Sequence, residues 1–487
     1  MVKPSLQPGS VVDGFQIEEC VHRGGMATLW SVSRPGTTMP MLMKVPKIGE
    51  GEDPAAIVSF EMEQMIMPRL GGIHVPKFVA AGDFSVQPYI VMERIAGQTL
   101  YKRLPDLPLP YAEVADIGAK IATALDEVHR QHVIHLDIKP SNIMFRPTGE
   151  AVLLDFGLSR HDQLPDLMQE EFRVPFGTPP YMSPDQLLGI RNEPRSDVFA
   201  LGVLLYFFST GVRPFGESET MAGMRRRLWR DPAPPRQLKA DYPAWLQEVV
   251  LRCLEIPASW RYPTAAHLAF DLTHQEQVKM TARSERLKRD SLATVLRRRF
   301  NKDLTWAEDK SARSAKLAAQ LAAAPIVAVA IDLDEQSASI NDALRVTTKR
   351  ILATLPSARV ALLNVLKQGR ITIDTSLDEH GHNKHIDRIV GLKHWAEPLK
   401  LEQDRLTVHV LEAVDPASAI IEFAGVNRVD HILIGARQNS LLRKMLGGVS
   451  AKVSAEASCT VTVVRPAQIV DAETMSGQKA APDGSRV

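Results

Sequence analysis

The sequence predicts two folded regions, an α+β region followed by an α/β region with a parallel sheet. In the first region, short alternating apolar runs typical of a small sheet give way after Asp116 to an apolar pattern with the helical period. In the second region, continuous apolar runs alternate with helical segments, which favours a parallel sheet covered on both faces. Between them, a basic and alanine-rich stretch without proline before Pro325 predicts a helical connector.

These patterns set the expected boundaries. The α+β region occupies residues 14–273, the connector 274–324, the α/β region 325–466, and a polar tail, expected to be disordered, 467–487. The strands expected in the first region are Phe15–Val21, Thr28–Val32, Met41–Val45 and Tyr89–Met92. Its helices are expected around Ile57–Leu70, after Asp116, at Ser196–Ser209 and at Trp245–Cys253. The strands expected in the second region are Ile326–Ile331, Arg359–Val365, Thr407–Leu411, His431–Ile434 and Thr460–Val464.

Composition excludes several classes of protein. Of 487 residues, 45% are hydrophobic and 24% are charged, which excludes wholesale disorder. The net charge of +1 gives no overall attraction to nucleic acid, and we expect no nucleic-acid partner. Cys20, Cys253 and Cys459 lie too far apart for a disulfide framework or a metal-ligand motif, which favours a reducing compartment. No apolar run reaches the roughly 20 residues of a membrane span, so we expect a cytoplasmic protein without a transmembrane segment.

A polar run in the first region indicates phosphoryl-transfer chemistry. Residues 135–142 read HLDIKPSN, and Asp155-Phe156-Gly157 follows thirteen residues later. An aspartate near a hydroxyl can accept its proton, and a lysine two positions on can neutralise phosphate charge. Asparagine and a second aspartate are hard oxygen ligands suited to Mg²⁺ on a triphosphate. The run therefore has the residue types for positioning and charge neutralisation.

With these motifs, residues 14–273 resemble the protein-kinase family and are most similar to the eukaryotic-like (Hanks-type) serine/threonine kinases of bacteria. The resemblance implies a bilobal fold that binds ATP between its lobes and phosphorylates Ser or Thr of protein substrates. It implies that Asp137 deprotonates the substrate hydroxyl and that Lys139 steadies the transferring phosphate. It also implies that Asn142 and Asp155 hold Mg²⁺, or Mn²⁺ in its place.

The same resemblance identifies residues that contact ATP. Lys44, in the run MLMKV, matches the strand lysine of the phosphates, and Glu63 matches the helix glutamate that pairs with it, with Glu61 as the alternative. The other implied contacts are Val21, Gly24, Gly25 and Leu29 of the phosphate loop and Glu93 to Ile95 of the hinge. Further matches are Gly177–Asp185 to the substrate-docking loop, Ser196–Gly202 to the central buried helix, and Arg261 to the arginine that anchors the closing acid Asp185.

Two departures from the family pattern bear on activity. His22 and Ala27 replace the outer two glycines of the phosphate loop, which predicts a stiffer lid over the phosphates. Leu136 replaces the arginine that binds a phosphate on the activation segment, and that segment, residues 158–176, contains a single hydroxyl, Ser159. We therefore expect a kinase that is not switched on by activation-loop phosphorylation.

A second class of function is compatible with the same sequence. The alternative is a pseudokinase, a nucleotide-responsive signalling scaffold with the C-terminal region as sensor or dimerisation module. The presence of the full catalytic set argues for an active enzyme, because a scaffold has no chemical need for all five residues. These are Lys44, Glu63, Asp137, Asn142 and Asp155.

The second region carries a candidate ligand site. Its first strand ends in Asp332, and ligands of open parallel sheets bind at the carboxyl ends of the strands. The layout resembles a universal stress protein domain, which implies a role in stress or regulatory signalling. For a nucleotide site the resemblance implies Asp332, Gly435, Gly447 and Gly448, although Gln438 replaces one of the family's glycines. The alternative is a regulatory or dimerising module, in which Thr460–Val464 would pair across a homodimer.

The connector admits three interpretations. Its arginines and lysines flank an apolar helical face, so it could bind a membrane or an acidic partner. It could instead pack on one of the two folded regions with a solvated basic face. Three of its hydroxyl residues, Ser284, Ser291 and Thr294, lie among basic residues and are candidate autophosphorylation sites.

Overall fold

The computed structural model describes most of the chain, and its described residues fall into two compact units. One unit is formed mainly by residues up to 300 and the other mainly by residues from 325 onward. The described ranges are 6–47, 54–84, 86–172, 175–217, 220–300, 325–334, 337–367, 384–402, 405–436 and 448–466. The expected tail at 467–487 and the connector beyond residue 300 lie outside these ranges.

An antiparallel sheet of six strands begins the first unit, in the order β1-β2-β3-β4-β6-β5. Its strands are β1 (Val11–Val12), β2 (Phe15–Arg23), β3 (Ala27–Ser33), β4 (Met41–Pro46), β5 (Phe78–Gly82) and β6 (Tyr89–Glu93). Alternation along β2 buries Phe15 and Ile17 and exposes the residues between them, the period of a half-buried strand. The four expected strands are present. The prediction missed β1, which has two residues, and β5, whose Ala-Ala-Gly end has weak strand propensity.

Most of the rest of the first unit is helical. The helices are α1 (Pro54–Ile66), α2 (Tyr111–Arg130), α3 (Leu167–Glu171), α4 (Pro184–Leu187), α5 (Arg195–Thr210), α6 (Met221–Met224), α7 (Pro235–Leu238), α8 (Ala244–Cys253) and α9 (Ala265–Thr273). Helix α5 is buried on nearly every side, which explains its continuous apolar sequence. It approaches α8 so closely that a Cβ at Gly202 would lie 2.4 Å from the Cβ of Cys253. Glycine at this position is therefore required by the packing of the two helices.

Two short strand pairs position the candidate catalytic loop. Strand β7 (Val133–Ile134) pairs with β10 (Arg160–His161), and β8 (Ile143–Phe145) pairs with β9 (Ala151–Leu153). The loop from β7 to β8 is thus fixed at both ends by paired strands, and it contains the polar run of residues 135–142. The loop from β9 to β10 contains Asp155. Both sets of predicted site residues are therefore anchored to β-structure.

The connector is not one continuous helix over its described part. Residues 274–300 contain a 3₁₀ turn, Gln275–Gln277, and two helices, α10 (Ala282–Glu285) and α11 (Leu292–Phe300), separated by irregular chain. Ion pairs hold this segment on the first unit: Arg283 lies 2.9 Å from Glu248 and 3.0 Å from Glu255, and Arg286 lies 2.9 Å from Asp231. These contacts support the packed interpretation, and they interrupt the helix because the backbone turns to meet them.

The candidate phosphorylation sites of the connector differ in accessibility. Ser284 is 2% exposed, and its hydroxyl donates to the carbonyl of Thr281 at 2.7 Å. Ser291 and Thr294 are exposed or half-buried at the start of α11, where the Ser291 hydroxyl accepts from the Thr294 amide at 3.2 Å. Phosphorylation of Ser284 would therefore require local opening of the chain, whereas Ser291 is reachable in this structure.

The second unit is built on a parallel sheet of five strands, in the order β13-β12-β11-β14-β15. The strands are β11 (Ile326–Ala330), β12 (Arg359–Lys367), β13 (Leu406–Ala413), β14 (His431–Gly435) and β15 (Thr460–Val464). Between them lie α12 (Ala338–Thr354), α13 (Lys384–Ala396), α14 (Pro416–Val426) and α15 (Val449–Glu456). Strand β11, in the centre, buries Val327, Ala328 and Val329 completely. The expected α/β class is confirmed.

Expectations about membranes and thiols can also be compared with the structure. Within the described ranges, no helix is both long enough and apolar enough to cross a bilayer. Cys20, Cys253 and Cys459 are free thiols. Burial raises the pKa of the Cys253 thiol, so this cysteine stays protonated and unreactive at neutral pH.

Candidate active site

Three charged residues from separate elements meet at the base of the first sheet. Lys44 lies on β4, Glu63 on α1 and Asp155 on the loop after β9. The Lys44 Nζ lies 2.5 Å from a carboxylate oxygen of Glu63 and 2.9 Å from Asp155 Oδ1. The lysine's partner on α1 is thus Glu63 and not the alternative, Glu61. This arrangement holds the ammonium of Lys44 beside the carboxylate of Asp155, which is about half exposed to solvent.

Mutual attraction determines the charge state of these groups. Burial alone would lower the pKa of Lys44, but the carboxylates of Asp155 and Glu63 outweigh burial and raise it above its usual value. The ammonium of Lys44 in turn lowers the pKa of Asp155 to about 2. Burial acts in the opposite sense on Glu63 and raises its pKa. Lys44 and Asp155 are therefore a cation and an anion throughout the neutral range.

The second part of the site is the loop that carries Asp137. One oxygen of the Asp137 carboxylate accepts from the Thr178 hydroxyl at 2.7 Å, and the other accepts from the Asn142 amide at 3.0 Å. Lys139 Nζ lies 2.6 Å from Asp137 and 3.0 Å from the Thr178 hydroxyl. Three polar side chains, those of Thr178, Asn142 and Lys139, thus fix the Asp137 carboxylate in one orientation, which is the requirement for a positioned proton acceptor.

The side chain of Asp197 holds the backbone of this loop through hydrogen bonds. Its carboxylate is fully buried and accepts from the backbone N–H groups of His135 and Leu136, both at 2.8 Å. Leu136 has a positive φ of 61°, a conformation that costs a leucine energy and persists where surrounding contacts enforce it. His135 is buried, and its ring lies 5.0 Å from that of Phe156, as expected of a scaffold residue. The sequence placed Asp197 in a matching helix, but its contacts with the loop were not predicted.

The predicted phosphate loop is the turn between β2 and β3. The Gly24 amide donates to the Ala27 carbonyl at 2.9 Å, and a Cβ at Gly24 would lie 3.3 Å from that oxygen, while a Cβ at Gly25 would meet open space. The ring of His22 reaches to within 3.5 Å of the same Cβ position, which agrees with a more crowded lid than a glycine would give. Val21 is exposed at the edge of this loop.

Two more of the predicted ATP contacts lie on β3 and on the hinge after β6. Leu29 pairs with Lys44 across β3 and β4, and cross-strand partners present their side chains on one face of a sheet. Ile95 of the hinge packs in one apolar cluster with Met144, Val152 and Leu154. Met144 was not predicted as part of the site. Its signal in the sequence is an apolar residue two positions after Asn142.

An arginine joins the hinge to the helical part of the unit. Arg146 Nη1 lies 2.6 Å from Glu93 Oε1, its Nη2 lies 3.0 Å from Glu93 Oε2, and its Nε donates to the carbonyl of Ile73 at 2.8 Å. The hydrogen bonds from Arg146 lower the pKa of Glu93. This contact was not predictable from the sequence, because Arg146 follows the catalytic motif at a position typical of solvated charge.

The predicted docking loop is held by buried polar contacts. Asp185 lies 2.6 Å from Arg261 with both side chains buried, so the shorter aspartate reaches the arginine. Arg227 is also buried, and its Nη1 donates to the Met182 carbonyl at 2.6 Å. Burial lowers the pKa of Arg227 to about 10. Gly177 has φ of 146°, a conformation that favours glycine.

The candidate site of the second unit is partly described. Asp332 follows β11 and Gly435 ends β14, and these strands are neighbours, so both residues lie at the carboxyl edge of the sheet. A Cβ at Gly435 would lie 2.2 Å from Cγ2 of Ile340, so helix packing already requires this glycine. Gly448 immediately precedes α15, whereas Gly447 and Gln438 lie outside the described residues.

A metal in the first unit would need ligands beyond the protein. Across the described residues, no group of three or more His, Cys, Asp or Glu side chains could hold a metal ion. Asn142 and the ionised Asp155 offer two hard oxygen donors, which suit Mg²⁺ when substrate phosphates supply the rest. The donor set therefore fits a metal that arrives with a nucleotide.

Comparisons with known proteins place this architecture in a family. Residues 15–272 match the family model of the protein kinase domain, and residues 307–465 match that of the universal stress protein family. The chain belongs to the protein kinase family, of the bacterial Hanks type, and carries a C-terminal universal stress protein domain. Membership of the family implies ATP, a divalent metal and protein substrates.

Individual relatives match about half of this chain. A probable serine/threonine-protein kinase of Clostridium acetobutylicum is 29% identical over 262 residues, which are 53% of this chain and 39% of that protein. A serine/threonine-protein kinase of Myxococcus xanthus is 31% identical over 255 residues, 49% of this chain and 46% of that protein. The aligned region thus spans less than half the length of these relatives. The PknI kinase domain of Mycobacterium tuberculosis, a solved structure, aligns with 56% of this chain and all of its own at 22% identity and a TM-score of 0.44.

Proposed function

We propose that this chain is an ATP- and Mg²⁺-dependent protein serine/threonine kinase that acts in stress or regulatory signalling. One observation carries the proposal: both halves of the site are assembled in the same structure. Lys44 contacts Glu63 and Asp155 at 2.5 and 2.9 Å, and the Asp137 carboxylate is fixed by Thr178 and Asn142. Catalysis of phosphoryl transfer depends mostly on such positioning and on charge neutralisation.

Each of these residues has a distinct part in the proposed reaction. The Asp137 carboxylate accepts the proton of the substrate hydroxyl as that oxygen attacks the γ-phosphorus of ATP. Lys139, 2.6 Å from Asp137, places a positive charge beside the transferring group. Lys44, oriented by Glu63, binds the α and β phosphates, and the loop at Gly24 and Gly25 covers them.

The divalent metal would be held by Asn142 and Asp155. When bound with ATP, it would neutralise charge on the phosphates. The low pKa of Asp155, set by Lys44, keeps the carboxylate ready to bind a cation at neutral pH. Mg²⁺ is the proposed ion, and Mn²⁺, which prefers the same oxygen ligands, would substitute for it.

The second unit would regulate the kinase or join two copies of it. Strand β15 lies at one edge of the parallel sheet, paired on one side with β14. Pairing of β15 with that of a second copy would cover this edge, which supports a homodimer as the proposed assembly. The free thiols support a reducing, cytoplasmic location.

The test is transfer of labelled γ-phosphate from ATP by the full chain, in the presence of Mg²⁺. The wild type should incorporate label into itself or into a generic protein substrate, and Lys44→Met and Asp155→Asn should reduce incorporation by roughly 100-fold or more. Lys120→Met is the matched control, because Lys120 forms an exposed ion pair with Asp116 away from the site. A wild type that binds ATP but transfers no phosphate would contradict the proposal and favour the signalling scaffold.

A further inference from the structure

A buried ion pair joins the activation segment, residues 158–176, to the chain beyond the docking loop. Asp166 Oδ2 lies 2.8 Å from Arg191 Nε, and the two side chains are 8% and 9% exposed. Arg191 also donates from Nη2 to the carbonyl of Leu158 at 2.9 Å. Asp166 Oδ1 accepts from the Gln169 amide at 3.3 Å and caps α3. We call this pair and its two backbone contacts the Asp166–Arg191 clamp.

The clamp connects points that are far apart along the chain. Leu158 stands at the start of the activation segment, Asp166 in its middle, and Arg191 beyond the docking loop that ends at Asp185. Two charges removed from water in this way stabilise a structure only when each keeps its partner, because an unpaired buried charge is strongly unfavourable. The backbone of the segment is therefore held in a single path as long as both side chains are present.

Phosphorylation has no obvious place in this segment. Residues 158–176 contain one hydroxyl group, that of Ser159. Ser159 is fully buried, and its hydroxyl donates to the His135 carbonyl at 3.0 Å. Leu136 stands where a phosphate-binding arginine would otherwise precede Asp137. A carboxylate and an arginine of the chain itself thus make the kind of contact that a phosphate and an arginine could make.

The clamp also lies next to the helix that carries Glu63. Leu167 and Met168 of α3, directly after the capped Asp166, are buried in the same apolar cluster as Met62 and Ile66 of α1. A displaced α3 would leave this face of α1 without its packing partners. The position of Glu63 toward Lys44 therefore depends on the same segment that the clamp holds.

We propose that Asp166 and Arg191 are positioning residues that hold the activation segment in its catalytic arrangement without phosphorylation. The inference rests on the proposed kinase function and deepens it, because it specifies how the active arrangement is maintained. Neither residue belongs to the predicted ATP contacts or to the predicted catalytic set. Both act through the path of residues 158–172 and through α1.

The central experiment compares Asp166→Asn with Asp162→Asn in the full chain. Asparagine keeps the shape of residue 166 and removes its charge. Asp162 forms an exposed ion pair with Arg160, 2.8 Å away on the same segment, and is the matched control, because its loss removes a neighbouring charge pair but keeps the contact of Asp166 with Arg191. Arg160 also lies 3.8 Å from Asp166 and remains there in this variant. We expect Asp166→Asn to lower kcat at least about tenfold with KM for ATP within about twofold of wild type, and Asp162→Asn to change neither. Asp166→Glu, which keeps the charge, should recover part of the loss.

Hydrogen exchange supplies a readout that does not depend on activity. In Asp166→Asn, amides of residues 158–172 should exchange at least about tenfold faster, while those of α5 stay protected. Treatment of the wild type with a phosphatase should leave its kcat unchanged. The proposal would be overturned if Asp166→Asn had the kcat and the hydrogen-exchange rates of the wild type. A uniform rise of exchange across the whole unit would also overturn it, because such a rise indicates an ion pair that only stabilises the fold.

The same experiment separates the two proposals. If the wild type transfers no phosphate, the kinase function fails, and the exchange of residues 158–172 still decides whether the clamp orders the segment. If the wild type is active and phosphatase treatment abolishes its activity, the function stands and the phosphorylation-independent arrangement is wrong.

Discussion

The charge state of Asp155 is set by a neighbouring charge. Its side chain is about half exposed, and without a partner its carboxyl would titrate near the usual value of about 4. The ammonium of Lys44, 2.9 Å away, lowers the pKa to about 2. The charge that a divalent metal requires is thus present at every pH at which the protein would work.

This low pKa predicts how stability changes with pH. A carboxyl whose pKa is lower in the folded than in the unfolded state stabilises the fold above the unfolded pKa of about 4, and its contribution is lost as the pH falls through about 2. The difference in unfolding free energy between wild type and Asp155→Asn should therefore be constant from pH 8 to pH 5 and should narrow only below about pH 4. Urea unfolding at a series of pH values measures it. A difference that narrows between pH 7 and pH 5 would be inconsistent with the Lys44–Asp155 pair.

Residues that belong to a sequence motif could be predicted, whereas the residues that hold the motif residues in position could not. Lys44, Asp137 and Asp155 occur in short runs with fixed spacing, so their proximity in space could be inferred from the chain alone. Asp166 and Arg191 are 25 positions apart in no motif, and isolated charges of this kind are usually solvated. Their pairing depends on a path of the backbone that local sequence does not encode.

At the scale of elements, the hinge is positioned by contacts from outside it. Glu93 ends β6, and the fork of Arg146 from the loop after β8 binds both of its carboxylate oxygens. The same arginine reaches the chain between α1 and β5 through the carbonyl of Ile73. Three segments thus converge on the strand end whose backbone is predicted to meet adenine.

Replacing Arg146 by lysine tests this role of the hinge contact. Lysine keeps the charge but cannot form the two parallel hydrogen bonds to Glu93. We expect a loss of about 1 kcal/mol in nucleotide binding, which is roughly a fivefold rise in KM for ATP, with kcat little changed. The exposed Arg130→Lys on α2 is the control, and both are measured by steady-state kinetics. An unchanged KM for ATP would show that the hinge keeps its geometry without the fork.

Elements with a clear period were predictable, and the others were decided by tertiary contacts. Strand β4 and helix α5 follow directly from their apolar patterns. The connector, predicted to be helical, contains the helices α10 and α11 over residues 274–300, where Gln247 and Glu248 bind its backbone and side chains. Gln247 Nε2 donates to the carbonyl of Arg283 at 2.7 Å, and Glu248 accepts from the Thr281 amide at 3.0 Å. Helix propensity alone does not compete with such a set of contacts.

The chain combines two folds, and the class of each could be predicted from the sequence for a different reason. The parallel sheet was predictable because its strands are buried on both faces and therefore read as continuous apolar runs. The antiparallel sheet was recognisable by its alternation and by the motifs that follow it. The nucleotide site of the second unit was less predictable. The close packing of Ile340 already requires a glycine at position 435, so the presence of Gly435 in the motif does not by itself indicate a ligand.

The most direct test of the proposed function separates nucleotide binding from transfer in the full chain. Asp137→Asn removes the proton acceptor and leaves Lys44, Glu63 and Asp155 in place. ATP affinity should stay within about threefold of wild type, while the single-turnover rate of γ-phosphate transfer should fall by roughly 10²–10⁴-fold. Transfer at the wild-type rate by Asp137→Asn would contradict the account, because another group would then have to accept the proton of the substrate hydroxyl.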